Sequence, residues 1–324
     1  MDRPLYRIGL LGASRIAPKA VINPAARRSD CRVVALACRD VGRGRRYARE
    51  HDVADADVLG NYRELCERPD IDIVYNALPP SLHLETARWA AGKVQLIEKP
   101  FAMNAAEADA IAALPGVVME AFHSLYHPAF AAFQRQVRGL GALSRIEARF
   151  HAAIPDRPSE LRYIRALGGG SLMDLGTYPL MFARRVAGRE PSVVSARAVR
   201  GLGGVDTAVE AELDFGDGLG AAISCDMREG VARESVVTVT GTRGTVRFDN
   251  PVHPYRGFRI TGPDGTVSEA DHPRWAALTT YDAQLAHLIM ALSLGTPPLT
   301  GGAEAVRQMR AIDAVYAASG MGER

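Results

Sequence analysis

Two short stretches of this 324-residue sequence place reactive side chains where the backbone holds them still. In Glu98-Lys99-Pro100, at the end of an apolar run, the proline drives Lys99 out of helical backbone into an extended conformation. That fixes an ammonium at a strand tip, and in open α/β sheets ligands bind in the crevice beyond the strands' carboxyl ends. A lysine there suits proton work because its pKa is readily tuned; the alternative is a surface lysine before a turn. The second stretch is Gly168-Gly169-Gly170-Ser171-Leu172-Met173-Asp174-Leu175-Gly176-Thr177-Tyr178-Pro179. Its glycines let a ligand or another backbone approach closely, and Ser171 can start a helix. Asp174 and Tyr178, four apart, then share a face, and Pro179 should kink that helix. A carboxylate and a phenol presented together read as a site. The alternative for Asp174 is the acid of a capping box led by Ser171.

A third stretch, Gly9-Leu10-Leu11-Gly12-Ala13-Ser14-Arg15-Ile16-Ala17, follows the first apolar run and opens a helical one. Read as G-x-G-x-x-G/A, its key positions are Gly12 for the tight turn, Ser14, and Ala17 for close helix packing. Backbone N–H groups at such a helix start can hold the pyrophosphate of a dinucleotide. Ser14 in place of the middle glycine is a departure, and a glycine turn in an α/β protein that binds something else is the alternative. Beyond the second strand come Arg39 and Asp40. A carboxylate there accepts from the ribose hydroxyls of NAD, whereas an arginine suits the 2′-phosphate of NADP. Arg39 stands first, which favours NADP(H) over NAD(H), and Arg15 and Arg43 could add charge nearby; the alternative is solvated surface residues leading into the next helix.

The elements that must carry these residues alternate. Residues 7–11, 32–37, 71–75, 94–97 and 117–119 read as buried parallel strands, with helical patterns over 16–26, 82–91 and 105–114 between them. Asn104 and Glu107 form a capping-box signal at the start of the last. This is the pattern of an α/β, doubly wound Rossmann sheet. After about residue 122 the rhythm changes: strands at 145–151, 192–200, 208–215, 219–225, 235–240 and 245–248, with hairpin turns at 216–218 and 241–244. The C-terminal part is therefore an α+β domain with an open, mainly antiparallel sheet. Helices are expected over 171–186, 281–292 and about 303–318. The domain boundary falls at 1–122 against 123–324, with the last helix able to pack back on the first domain.

Composition narrows the class. A net charge of +2 with scattered arginines gives no nucleic-acid footprint. Cys31, Cys38, Cys66 and Cys225 have neither metal-ligand nor disulfide-framework spacing, which fits a reducing cytosol. The apolar run 285–294 is too short to span a bilayer, and the N-terminal residues carry no export pattern. A soluble, cytoplasmic protein without a metal site is the expectation.

Together the three clusters, with Ala91-Gly92-Lys93 leading to Glu98-Lys99-Pro100, resemble the glucose–fructose oxidoreductase / inositol dehydrogenase / MocA family over nearly the whole chain. The resemblance implies hydride transfer between a nicotinamide cofactor and a secondary alcohol or ketone of a sugar, cyclitol or related polyol. Lys99 matches the family's catalytic lysine, Asp174 the aspartate that holds substrate hydroxyls, and Tyr178 the place where many members carry an acid/base histidine. A tyrosine there resembles the branch of dihydrodiol dehydrogenases and sugar ketoreductases and departs from inositol dehydrogenases. The resemblance further implies that Asn76-Ala77-Leu78-Pro79 passes under the nicotinamide, with His83 after it. Arg162 would lie near cofactor or substrate, and His123 would face substrate. For His83 a helix-start histidine without chemistry is the alternative. Cofactor contacts are thus expected from Gly12, Ser14, Arg15, Ile16, Ala17, Arg39, Asp40, Leu78, Pro79, His83, Glu98 and Lys99, and substrate contacts from His123, Arg162, Asp174 and Tyr178. A homodimer through the open sheet, or a dimer of dimers, is implied as well. Rival readings are a dihydrodiol dehydrogenase or imine reductase on the same scaffold, and a non-catalytic NADP-binding sensor. The joint presence of Lys99, Asp174 and Tyr178 weighs against the sensor.

Overall fold

The computed structural model describes residues 5–53, 56–157, 159–269 and 278–322. The chain forms two compact units, Met1–Phe122 with Tyr281–Val306, and His123–Thr280 with Arg307–Arg324.

In the first unit, β1 (Tyr6–Leu11), β2 (Cys31–Ala37), β3 (Asp57–Leu59), β4 (Ile73–Asn76), β5 (Val94–Glu98) and β6 (Val117–Ala121) form one sheet. Their order is β3-β2-β1-β4-β5-β6, and every pairing is parallel. The apolar runs become strands because helices bury both faces, so no alternation is needed. The order reverses between β1 and β4, the switch point at which ligands bind in such sheets. Gly12 follows β1 and Leu78 follows β4 at that point, while Lys99 follows β5 directly. Residues 281–306 group with this unit, not with the C-terminal part as expected. The reason lies at β6, where the Glu120 N–H donates to the Thr300 carbonyl at 2.8 Å and the Thr300 hydroxyl donates to the Glu120 carbonyl at 2.6 Å. Met119 pairs with Gly301 beside them.

In the second unit, β7 (Leu143–His151), β8 (Ser192–Arg200), β9 (Asp206–Asp214), β10 (Gly220–Asp226), β11 (Glu234–Gly241), β12 (Gly244–Asp249), β13 (Arg259–Thr261) and β14 (Val267–Glu269) form a sheet in the order β14-β13-β12-β11-β7-β10-β9-β8. Only the central β7–β10 pair is parallel. Along β7 the alternation sends Ile146, Ala148 and Phe150 into the core, beneath helix Thr177–Ala187, while helix Pro128–Arg138 lies against β12. Phe130 meets Phe182, and Phe133 meets Phe248, with ring centroids 5.6 and 5.3 Å apart. The opposite face carries polar rungs: Arg145 to Glu212 at 2.8 Å, Arg149 to Glu234 at 3.5 Å, and His151 to Ser224 at 2.9 Å. Among the described residues no helix is long and apolar enough to cross a membrane.

Candidate active site

In the first unit the loop after β1 turns at Gly12, whose φ of +89° is a left-handed conformation that glycine adopts without strain. A Cβ there would also sit 3.0 Å from Leu78, so the loops after β1 and β4 touch through a missing side chain. Ser14 Oγ accepts from the Ala17 N–H at 3.2 Å, and Ala17 is fully buried. Ser14 thus braces the loop where a glycine would only have left room. Arg15 is exposed and Ile16 half-buried. Arg39 is exposed beyond β2; Asp40, beside it, caps helix Val41–Glu50 by accepting from the Arg43 N–H at 2.9 Å. The Arg43 guanidinium donates to the Ala13 carbonyl at 3.1 Å and the Tyr47 hydroxyl to the Ser14 carbonyl at 2.8 Å, tying that helix to the loop. Arg15, Lys19, Arg43 and Arg46 line a groove alongside it.

Lys99 is half-buried, in a cis Lys99-Pro100 linkage. Its neighbour Glu98 accepts from the buried Tyr75 hydroxyl at 2.6 Å. Burial, and then the Glu98 carboxylate, hold that phenol well above its ordinary pKa, so Tyr75 is the donor. His83 lies fully buried, Nε2 2.9 Å from the Leu78 carbonyl and Nδ1 3.1 Å from the Phe101 carbonyl. It bridges the loop after β4 to the segment after Lys99, and its burial lowers its pKa. Pro79 begins the turn between them, its carbonyl accepting from the Leu82 N–H.

In the second unit the glycine run meets backbone. A Cβ on Gly169 would lie 2.6 and 2.7 Å from the carbonyl oxygens of Arg162 and Leu161. That contact brings Arg162 to Asp174: Nε donates to Asp174 Oδ2 at 2.5 Å, and Nη1 to Glu160 Oε1 at 2.8 Å. Ser171 makes no side-chain cap to the turn that follows it, and the Asp174 N–H donates to the Gly170 carbonyl at 3.0 Å. Ser171 spends its hydroxyl on buried Asp206 at 2.8 Å, and Asp206 also accepts from the Leu172 N–H and the Tyr316 hydroxyl. Residues Leu172–Gly176 form one wide π-type turn before helix Thr177–Ala187. The distortion lies ahead of Pro179, whose ring would crowd the carbonyl four residues back in a regular helix. Tyr178 is buried; its hydroxyl is 3.1 Å from His123 Nε2, and Phe150 sets its ring edge-on at 5.5 Å. His123 Nδ1 is 2.8 Å from Thr280 Oγ1.

The model of the oxidoreductase family's NAD-binding Rossmann domain matches residues 6–115, and that of the GFO/IDH/MocA C-terminal domain matches residues 136–247. The chain belongs to the Gfo/Idh/MocA oxidoreductases. Among curated relatives, trans-1,2-dihydrobenzene-1,2-diol dehydrogenase of Sus scrofa is 34% identical over 275 residues, 76% of this chain and 80% of its own length. D-xylose 1-dehydrogenase (NADP(+)) 2 of Haloferax volcanii is 31% identical over 317 residues, 95% of each. Among solved structures, aldose-aldose oxidoreductase from Caulobacter crescentus, complexed with glycerol, superposes with a TM-score of 0.85 at 26% identity over 97% of both chains.

As a Gfo/Idh/MocA oxidoreductase the chain uses a nicotinamide dinucleotide, and its Rossmann unit fits one: the glycine-led turn, the braced helix start and the cationic groove are parts of one loop cluster. Within the second unit the structure joins Arg162 to Asp174 and His123 to Tyr178, pairings that no sequence spacing announces. Thr280, Asp206 and Glu160 escaped sequence reasoning altogether. Glu160 lies two residues from Arg162, close enough for a turn contact to be guessed; Thr280 and Asp206 offer no local signal.

Proposed function

We propose that this oxidoreductase is an NADP(H)-preferring enzyme that moves hydride between nicotinamide and a secondary alcohol or ketone of a sugar, cyclitol or related polyol. The observation that carries this reading is a buried phenol, Tyr178, one helical turn from an ion-paired carboxylate, Asp174. Bound nicotinamide supplies the hydride in reduction and accepts it in oxidation. In reduction Tyr178 protonates the developing alkoxide, and the Lys99 ammonium stabilises its negative charge. Asp174 orients substrate hydroxyls; a carboxylate accepts several hydrogen bonds, so its pairing with Arg162 is compatible with that role. Gly12, Ser14, Arg15, Ile16 and Ala17 hold the pyrophosphate, and the loop of Leu78 and Pro79, anchored by His83, supports the ring. The NADP preference rests on exposed Arg39, on the arginines near it, and on the cofactor in the name of the xylose-oxidising relative.

An aromatic dihydrodiol is the second substrate class, favoured by the 34% identity to the porcine dihydrodiol dehydrogenase. We also propose a homodimer across the open face of the second sheet, whose charged rungs include both signs, and a cytoplasmic location, supported by four buried cysteines without disulfides. A cofactor-linked absorbance screen of sugars, cyclitols, ketosugars and diols at high enzyme concentration tests the function. Turnover of a polyol or its ketone with NADP(H) is expected. Silence across all four classes would return the protein to a sensor.

A further inference from the structure

His123, Tyr178 and Thr280 come from three separate stretches of the second unit and meet through one imidazole. Nδ1 is 2.8 Å from the Thr280 hydroxyl oxygen, Nε2 is 3.1 Å from that of Tyr178, and all three residues are buried. The His253 ring packs 5.5 Å from His123, centroid to centroid, which with Phe150 against Tyr178 restricts how the pair can turn. A neutral imidazole offers one N–H and one lone pair. When Thr280 donates its proton to Nδ1, the N–H resides on Nε2 and points at the phenolic oxygen. The phenol's own proton is then turned away from His123 and is the one available for transfer.

We propose that His123, with its tautomer set by Thr280, is a positioning residue for the reduction: it aims the Tyr178 proton and stabilises the tyrosinate left behind. This deepens the proposed function and rests on Tyr178 being the acid. In the step, the Tyr178 O–H bond breaks and an O–H bond forms on the substrate oxygen. The phenolic oxygen keeps the electron pair and is held by the Nε2–H. His123 neither gains nor loses a proton. A hydrogen bond to a charged acceptor is stronger than one to a neutral hydroxyl, so Nε2–H favours tyrosinate and lowers the phenol's pKa.

The test is the pH profile of kcat for ketone reduction at saturating NADPH in His123→Leu, His123→Gln and Thr280→Val, with Tyr178→Phe as control. Loss of the donor should move the high-pH limb set by Tyr178 upward by about one to two pH units and cut kcat roughly 10- to 100-fold, with NADPH affinity unchanged. The amide of His123→Gln still donates and should restore the limb and most of kcat. Thr280→Val should shift the limb in the same direction by less. A His123→Leu variant slow in turnover but with the wild-type limb has lost only packing, and the inference fails. If that variant does not fold, Thr280→Val decides, and an unmoved limb overturns the proposal. Near-wild-type turnover in Tyr178→Phe would instead sink the acid assignment beneath it.

Discussion

Taking one oxygen from Tyr178 disturbs the fold least, because the ring keeps its contact with Phe150. Tyr178→Phe should therefore fold and bind NADPH yet lose about 10²–10⁴-fold in single-turnover hydride transfer, the usual worth of a general acid. Lys99→Ala should lose at least as much, and the double variant little more, since groups acting as a unit are not additive. A rate near wild type in Tyr178→Phe refutes the assignment. At the cofactor, Arg39→Ala should weaken NADPH about ten- to a hundredfold and leave NADH nearly unchanged, the value of a charge-assisted phosphate contact. Arg43→Ala should weaken both, because that guanidinium holds the Ala13 carbonyl of the loop; equal losses for both cofactors in Arg39→Ala would show that Arg39 does not read the phosphate. His83 gives a pH signature. Burial lowers its pKa in the fold, so on acidification the unfolded chain takes up this proton first. Stability contributed by the neutral ring is lost as pH falls below about 6.5. The wild-type urea midpoint should drop through that range more steeply than that of His83→Gln; parallel slopes would exclude the effect. The sequence could nominate Lys99 and Tyr178 as candidates because proline and glycine mark them locally. It could not nominate Thr280, since 157 residues separate it from His123.

Elements position these side chains through close backbone contact, most directly at Gly169. In Gly169→Ala the new methyl would meet two backbone oxygens well inside contact distance. Overpacking of this kind typically costs about 1–3 kcal/mol. The urea midpoint should fall accordingly, and activity should drop further as the Arg162–Asp174 pair loses register; an unchanged midpoint would mean that the 161–170 segment is slack. The capping signal at Asn104 has its counterpart in the structure: Oδ1 accepts from the Glu107 N–H at 2.9 Å, and the Glu107 carboxylate accepts from the Met103 N–H at 3.1 Å. Helix Val41–Glu50, expected after Asp40, could not be given bounds from the sequence, for physical reasons. Gly42 and Gly44 weaken its propensity, and its five charged residues leave only Gly44, Tyr47 and Ala48 buried. Strand β3 is three residues long, too short for any period to show. Helix Pro128–Arg138 buries Phe130, Phe133 and Val137 at helical spacing and was readable, had the change of rhythm near residue 122 not drawn attention to strands.

At the scale of the molecule, both sheets followed from the sequence because strand burial differs between them: continuous apolar runs in one, alternation in the other. The alternation leaves β7 with a polar face, and pairing with a second copy is the expected use of it. Light scattering at micromolar concentration should give at least twice the 34.9 kDa chain mass; a monomer would refute the homodimer. What the sequence could not show is that the first unit is discontinuous. Its last strand, β6, is complete at Ala121, yet Thr300 and Gly301, which cover that strand's edge, are made about 180 residues later. At ordinary rates of synthesis the interval is roughly 10–35 s. Throughout it, the nascent chain carries the bare edge of Val117–Ala121, a template on which a neighbouring chain could add a strand.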